Sequence, residues 1–234
     1  MEELRLFRES WANKHLSAKK TVEHLKSFFR FCHESNWIKE NPAKSIKAPK
    51  IAHPSVLPFS DEEIQKILKA CGSHPSPPRA LRIRALVLLM LHSGLRIGDA
   101  CTFRRDRIHK GILELFTAKS GTKVRLPLHP DVMVALKKLP AGDYYFWSGE
   151  STRKTCINVW EETFHRMFER TGIDGAHSHR LRHTFAVRLL QNGVSMEHTS
   201  ILLGHQNIRI TQKHYASWVK ERQQLPEEEV KKTW

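Results

Sequence analysis

Apolar residues recur at helical spacing from Thr21 to Cys32. Val22, Leu25, Phe28, Phe29 and Cys32 fall together, with Lys26 and Arg30 on other faces, and this predicts an amphipathic helix. Trp37 to Pro42 predicts a turn, because Pro42 disfavours helix at Asn41. Lys47 to Phe59 carries Pro49, Pro54 and Pro58, which predicts an extended linker. Beyond it the pattern sharpens. Ser60-Asp61-Glu62-Glu63 has the form of a capping box, opening a helix to about Ala70. Pro77 and Pro78 open the next helix. Its run Ala85-Leu86-Val87-Leu88-Leu89-Met90-Leu91 is apolar on every side, the mark of a central core helix, and Gly94 suits its C-cap. Ile112–Phe116 and Val124–Leu128 read as two strands joined by a hairpin at Ser120-Gly121. Pro130–Leu139 reads as a helix, Tyr144–Trp147 as a short buried strand, and Thr155–Thr171 as an amphipathic helix. Helices over Ser178–Gln191, Met196–Leu203 and Ile208–Tyr215 follow, punctuated by Gly193 and Gly204. The fold class is mainly α with a small antiparallel β-sheet (α+β). The expected organisation is a partial helical domain at 1–46, a linker at 47–59, a main domain at 60–220 and a tail at 221–234.

Composition narrows the function. Thirty-nine Lys and Arg against 24 Asp and Glu give the 234-residue chain a net charge of +15. Such an excess favours polyanions through long-range steering and counterion release. The basic residues are spread along the chain and are not gathered on one amphipathic helix, which argues against a membrane surface. No apolar run approaches membrane-spanning length. Cys32, Cys71, Cys101 and Cys156 are scattered without a CxxC pair, so they read as reduced thiols of a cytoplasmic protein. No P-loop is present.

Five short clusters carry the candidate chemistry: Ser93-Gly94-Leu95-Arg96, Ala118-Lys119-Ser120-Gly121, His179-Arg180-Leu181-Arg182-His183, Leu202-Leu203-Gly204-His205 and Lys213-His214-Tyr215. Guanidinium forks grip phosphate oxygens, His and Lys move protons, and Tyr can act as a covalent nucleophile. Each residue also has a plainer reading. Arg96 could pair with Asp99, three residues on. His179 and Arg182 share a helix face. His179 and His183, with His205, could ligate a metal, but Arg180 stands where a zinc peptidase helix carries Glu and Arg182 would repel a cation. His183 reads as a packed, hydrogen-bonded side chain. Lys119 could be a solvated hairpin tip, with Lys123 the competing lysine. His205 could serve a helix C-terminus, and Tyr215 could be a core aromatic.

The order and context of these clusters resemble the tyrosine recombinase, or phage integrase, family, over nearly all of the chain from about Ser60 onward. The resemblance rests on Gly94-Leu95-Arg96, on His179-x-x-Arg182 with His183-Thr184-Phe185-Ala186, on Leu202-Leu203-Gly204-His205, and on the segment Thr211 to Val219. The family more often has Glu where Asp99 stands, and Tyr215 lies ten residues after His205 where many members have nine. The resemblance implies that residues 1–46 are the last part of a helical core-binding domain. It implies that Arg96 and Arg182 clamp the scissile phosphate, Tyr215 attacks it, Lys119 protonates the leaving 5′-oxygen, and His179 and His205 support proton transfer and hydrogen bonding. It implies no cofactor and no metal. The partners it implies are double-stranded DNA and further copies of the chain in a synaptic multimer. A tail holding Trp218, Val219, Leu225, Val230 and Trp234 would dock on a neighbouring protomer, the alternative being a tail folded onto its own domain. The implied activity is site-specific cleavage and rejoining of DNA through a 3′-phosphotyrosyl bond. Two alternatives stay open: a topoisomerase-like enzyme of the same chemistry, and a truncated, inactive DNA-binding remnant. With a shortened first domain, Phe28, Phe29, Phe31 and Trp37 would lack partners to bury them.

Overall fold

Ser60 opens the main domain as its sequence dictates. Its hydroxyl accepts from the Glu63 N–H at 3.2 Å and the Glu63 carboxylate accepts from the Ser60 N–H at 2.9 Å, a reciprocal capping box. The computed structural model describes residues 15–47, 57–219 and 231. The chain divides into two units, Met1–Pro54 and Ser55–Trp234. Residues 48–56 of the expected linker lie outside the described residues.

In the first unit, α1 (His15–Glu34) runs longer than Thr21–Cys32. Val22, Ala43 and Ile46 are buried, with Leu25 and Phe29 packed against them. Asn36, at φ 58°, turns the chain back. Phe28, Phe31 and Trp37 stay 56%, 53% and 69% exposed, so of the four expected aromatics only Phe29 gains cover.

The second unit is built around α3 (Pro77–Ser93), which follows α2 (Asp61–Gly72). Ala85 to Leu91 are all buried, because other elements pack around the helix: α2, α4 (Ile97–Cys101), α5 (Pro130–Lys137) and α7 (Ser178–Gln191). Helix α6 (Arg153–Glu169) packs on α2, α4 and α7. Its Trp160, Phe164 and Phe168 meet edge to face, and Phe168 stacks on Phe59. Helices α8 (Met196–Leu202) and α9 (Ile208–Tyr215) close the unit.

The sheet is antiparallel, in the order β1 (Ile108–His109), β2 (Ile112–Phe116), β3 (Lys123–Pro127). Leu113 faces Leu126 and Leu115 faces Val124, so these four turn inward while Glu114, Lys123 and Arg125 face out. Sequence reading missed β1, whose two residues are too short for alternation to show. The expected strand at Tyr144–Trp147 is absent. Only a single bridge joins Tyr144 to Arg104, and Gly142 and Gly149 on either side have positive φ. The apolar run is held by rings instead: Tyr145 stacks on Phe103 and Phe146 meets Trp160 edge-on. Tyr144 and Tyr145 are therefore half-buried.

Candidate active site

Gly94 closes α3 at φ 64°, and a Cβ there would collide with the Phe185 ring. The turn aims the Gly94 carbonyl at α7, where the Arg182 Nη1 donates to it at 2.6 Å. The Arg182 Nη2 donates to the Leu203 carbonyl at 2.7 Å and lies 3.0 Å from the His205 Nε2. Arg182 is only 2% exposed, so the ends of α3 and α8 are tied together by a buried guanidinium. Burial, then the nearby charge of Arg96, lower its pKa to about 10, against the pull of Tyr215 and Asp99.

A guanidinium can only donate, so the His205 Nε2 accepts. Its Nδ1 then carries the proton and donates to the Thr211 Oγ1 at 2.8 Å. His205 is thus a neutral imidazole. Burial, then Arg182, Arg96, His214 and His179, push its pKa down to about 3. His179 lies one turn before His183 with its outer face open to solvent. Desolvation of its inner side, then Arg182, His177, Arg96 and His183, hold its pKa at about 4.

Arg96 is the N-cap residue of α4, and its Nη1 is buried with no hydrogen-bond partner among the described residues. The Arg96–Asp99 pairing left open by the sequence is not what forms. The Asp99 carboxylate instead accepts from the Ala118 N–H at 3.0 Å and pairs with Arg153 at 3.4 Å. Arg96 is therefore left with a donor to offer.

Lys119 stands exposed in the loop between β2 and β3 and makes no ion pair among the described residues. The Lys123 ammonium, its competitor, is bound to Glu114 at 2.8 Å. The loop is fixed at both flanks. Asp99 holds Ala118, and the Ser120 hydroxyl donates to the Gly204 carbonyl at 2.9 Å. Gly204, at φ 63°, allows this approach; a Cβ would come within 2.8 Å of Val124 and 2.9 Å of Thr117. The Lys119 loop thus sits directly against the residue before His205.

Tyr215 ends α9 and is 3% exposed, packed with Ala186, Val187, Leu190 and Leu203. His183 lies against its ring, with centroids 4.8 Å apart. Burial raises the phenol pKa, while Arg182 and Arg96 pull it down. All six sequence-named residues, Arg96, Lys119, His179, Arg182, His205 and Tyr215, come from elements that meet at this end of the second unit. Among the described residues, no three His, Cys, Asp or Glu side chains gather as metal ligands. All four cysteines are buried and unpaired. Trp218 and Val219, expected to dock on a neighbour, pack on the Tyr215 cluster of their own chain. Leu225, Val230 and Trp234 lie outside the described residues.

Sequence reading passed over three supporting residues. Thr211 fixes the His205 tautomer. Arg180 donates to the Leu57, Pro58 and Asp174 carbonyls and to both Glu63 carboxylate oxygens. Arg153 reaches Gly98 and Asp99. Thr211 and Arg180 sit inside the quoted motifs, so proximity was a signal. Arg153 had none.

Comparison with known proteins bears on this arrangement. The family model for the phage integrase family matches residues 59–222. The chain belongs to the phage integrase family. Among family relatives, tyrosine recombinase XerC of Alcanivorax borkumensis is 28% identical over 200 residues, covering 80% of this chain and 64% of the relative. Tyrosine recombinase XerA of Pyrococcus furiosus is 28% identical over 201 residues, covering 82% and 66%. The chain thus spans just under two-thirds of the length of these recombinases. In fold it resembles lambda integrase (75–356), solved as a dimer bound to a COC′ core site, with a TM-score of 0.74, 23% identity, and coverage of 91% of this chain and 78% of that one. No helix among the described residues is long and apolar enough to cross a membrane.

Proposed function

We propose that this protein is a site-specific DNA recombinase that cuts and rejoins strands through a 3′-phosphotyrosyl bond. The observation that carries this reading is the Arg96 Nη1, buried with no hydrogen-bond partner among the described residues, in a site where Arg182 lies 3.0 Å from the His205 Nε2 and His183 packs on the Tyr215 ring. Arg96 and Arg182 neutralise the non-bridging oxygens as charge builds on the phosphorus. Tyr215 attacks in line, the P–O5′ bond breaks, and Lys119 gives its proton to the departing 5′-oxygen. His205 holds Arg182, and His179, neutral at physiological pH, accepts the phenol proton. A 5′-hydroxyl from another strand then reverses the step, and no external energy source is needed. The partners are double-stranded DNA and further copies of this chain, acting in the cytoplasm. Because Tyr215 is packed under His183, the phenol must leave its pocket before it can attack, so cleavage follows a conformational step on DNA.

Residues 1–46 serve as a DNA-binding module, 47–59 as the linker and 60–220 as the catalytic domain, with the tail at 221–234. Support comes from relatives named as recombinases and from a structural neighbour bound to DNA. The test is incubation with nicked duplexes that trap a covalent intermediate. The native chain forms a denaturant-resistant protein–DNA adduct. Tyr215→Phe forms none yet still shifts DNA in a gel. Adduct from Tyr215→Phe, or none from the native chain on any end of its own element, overturns the reading.

A further inference from the structure

The loop that carries Lys119 offers nothing of its own to fix the ammonium. Lys119 is exposed, its stem is long and rotatable, and its position is set by the backbone on either side. The Ser120 flank is held by Gly204. The Ala118 flank, one residue from Lys119, is held by a carboxylate whose side chain is only 6% exposed. A carboxylate so buried needs a countercharge. Asp99 finds it in Arg153, the first residue of α6, whose Nη2 lies 3.4 Å from the carboxylate and donates to the Gly98 carbonyl at 2.9 Å. The fit is close on the α4 side. A Cβ on Gly98 would come within 3.1 Å of Ile157 and 3.3 Å of the Arg153 Nη2. The base of Arg153 is fixed as well, because the Thr152 hydroxyl caps α6 by accepting from the Thr155 N–H.

We propose that Arg153 is a positioning residue for strand cleavage, acting through the buried Asp99 carboxylate to set the loop that presents Lys119. This rests on the reading of Lys119 as the acid that protonates the leaving oxygen. Asp99 lies three residues beyond Arg96 on the same helix. The link from Arg153 through Asp99 to Ala118 therefore joins the element bearing one phosphate clamp to the element bearing the acid. Without Arg153, Asp99 loses its ion-pair partner and keeps the Ala118 N–H as its hydrogen bond, with the Arg182 charge acting only from farther off. The carboxylate turns toward water and releases Ala118, and the loop pivots about Ser120. A displacement of about 1 Å at a reacting group is enough to cost on the order of 100-fold in rate.

The competing role for Arg153, which is 45% exposed, is direct contact with a DNA phosphate. Three measurements on the full chain separate the two. The first is amide hydrogen exchange in the free protein. Arg153→Ala and Arg153→Gln exchange the Ala118 amide faster than the native chain. The second compares cleavage of a normal nicked duplex with one whose scissile phosphate has a bridging 5′-sulfur. The thiolate leaves without needing a proton, so it bypasses the acid. Both variants cleave the oxygen substrate about 10- to 100-fold slower, cleave the sulfur substrate within about 3-fold of the native rate, and bind both with native affinity. The third is a double-mutant cycle. In an Asp99→Asn background, which removes the charge, loss of Arg153 adds little. Native exchange at Ala118, equal slowing on both substrates, or a loss confined to DNA affinity overturns the proposal. Lys119→Met reports separately on the underlying reading. If sulfur does not restore its cleavage, the acid assignment falls, and Ala118 exchange still decides whether Arg153 sets the loop.

Discussion

Arg182 serves two ends at once. Its guanidinium binds two helix-end carbonyls and one imidazole, so its replacement touches both chemistry and fold. Arg182→Lys supplies a point charge where a fork is needed. It is expected to slow covalent adduct formation by about 100- to 1,000-fold and to destabilise the second unit by about 3 kcal/mol, because buried carbonyls lose their donors. Denaturant unfolding alongside single-turnover cleavage checks both. The histidines predict a pH dependence. The folded pKa values of His205 and His179, about 3 and 4, lie below the ordinary 6.5, and His92 at about 4 behaves alike, through burial first and then His129 and Arg188. Above about pH 6.5 these groups are neutral in both states. As pH falls, the unfolded chain takes up protons that the folded chain refuses, so stability drops between about pH 6.5 and pH 3 to 4. Melting scans across that range should show a falling Tm, and His205→Gln should flatten the slope. The sequence named His179 and His205 because motifs preserve identity and spacing, and it gave no sign of His92. It could not show that His205 is locked in one tautomer, since Thr211 reaches it only after α8 and α9 fold against each other.

Helix ends place the site more than helix faces do. Gly94 and Gly204 both adopt left-handed φ, and each lets a carbonyl or a loop approach closely. Gly204→Ala should therefore act locally: the added Cβ displaces the Lys119 loop, and cleavage falls further than DNA affinity does. A second element-level contact is Arg180, which uses its guanidinium to hold residues 57, 58 and 63 onto α7 and stacks over Phe59 at 4.2 Å. Arg180→Ala should cost about 3 kcal/mol, seen as a lower denaturation midpoint. Most elements were legible because their signals are local: the Ser60 capping box, Pro77-Pro78, the Ala85–Leu91 run and Gly94. The Tyr144–Trp147 error has the opposite cause. A short apolar run looks like a strand, but here its backbone has only one bridging partner and its rings do the packing.

Across the whole chain, charge dominates. A net +15 predicts DNA affinity that falls steeply with salt, with a log–log slope of about −5 to −9 for six to ten phosphate contacts. Titration of a random-sequence duplex between about 50 and 200 mM salt measures this, and a slope near zero would count against a backbone-tracking mode. The sequence announced this charge plainly, but it gave no hint of Arg153, because a lone arginine at a helix start resembles any surface cation. The burial of Arg182 has a consequence for how such chains age. A copy released from selection for activity still needs this arginine to close two helix ends, and it needs the Tyr215 ring to fill a core. Both would persist in a dead gene product for as long as it folds. Lys119 and His179 face solvent and support no core, so they are free to drift first. When relatives of this chain are sorted into working enzymes and relics, those two exposed positions are the ones to inspect.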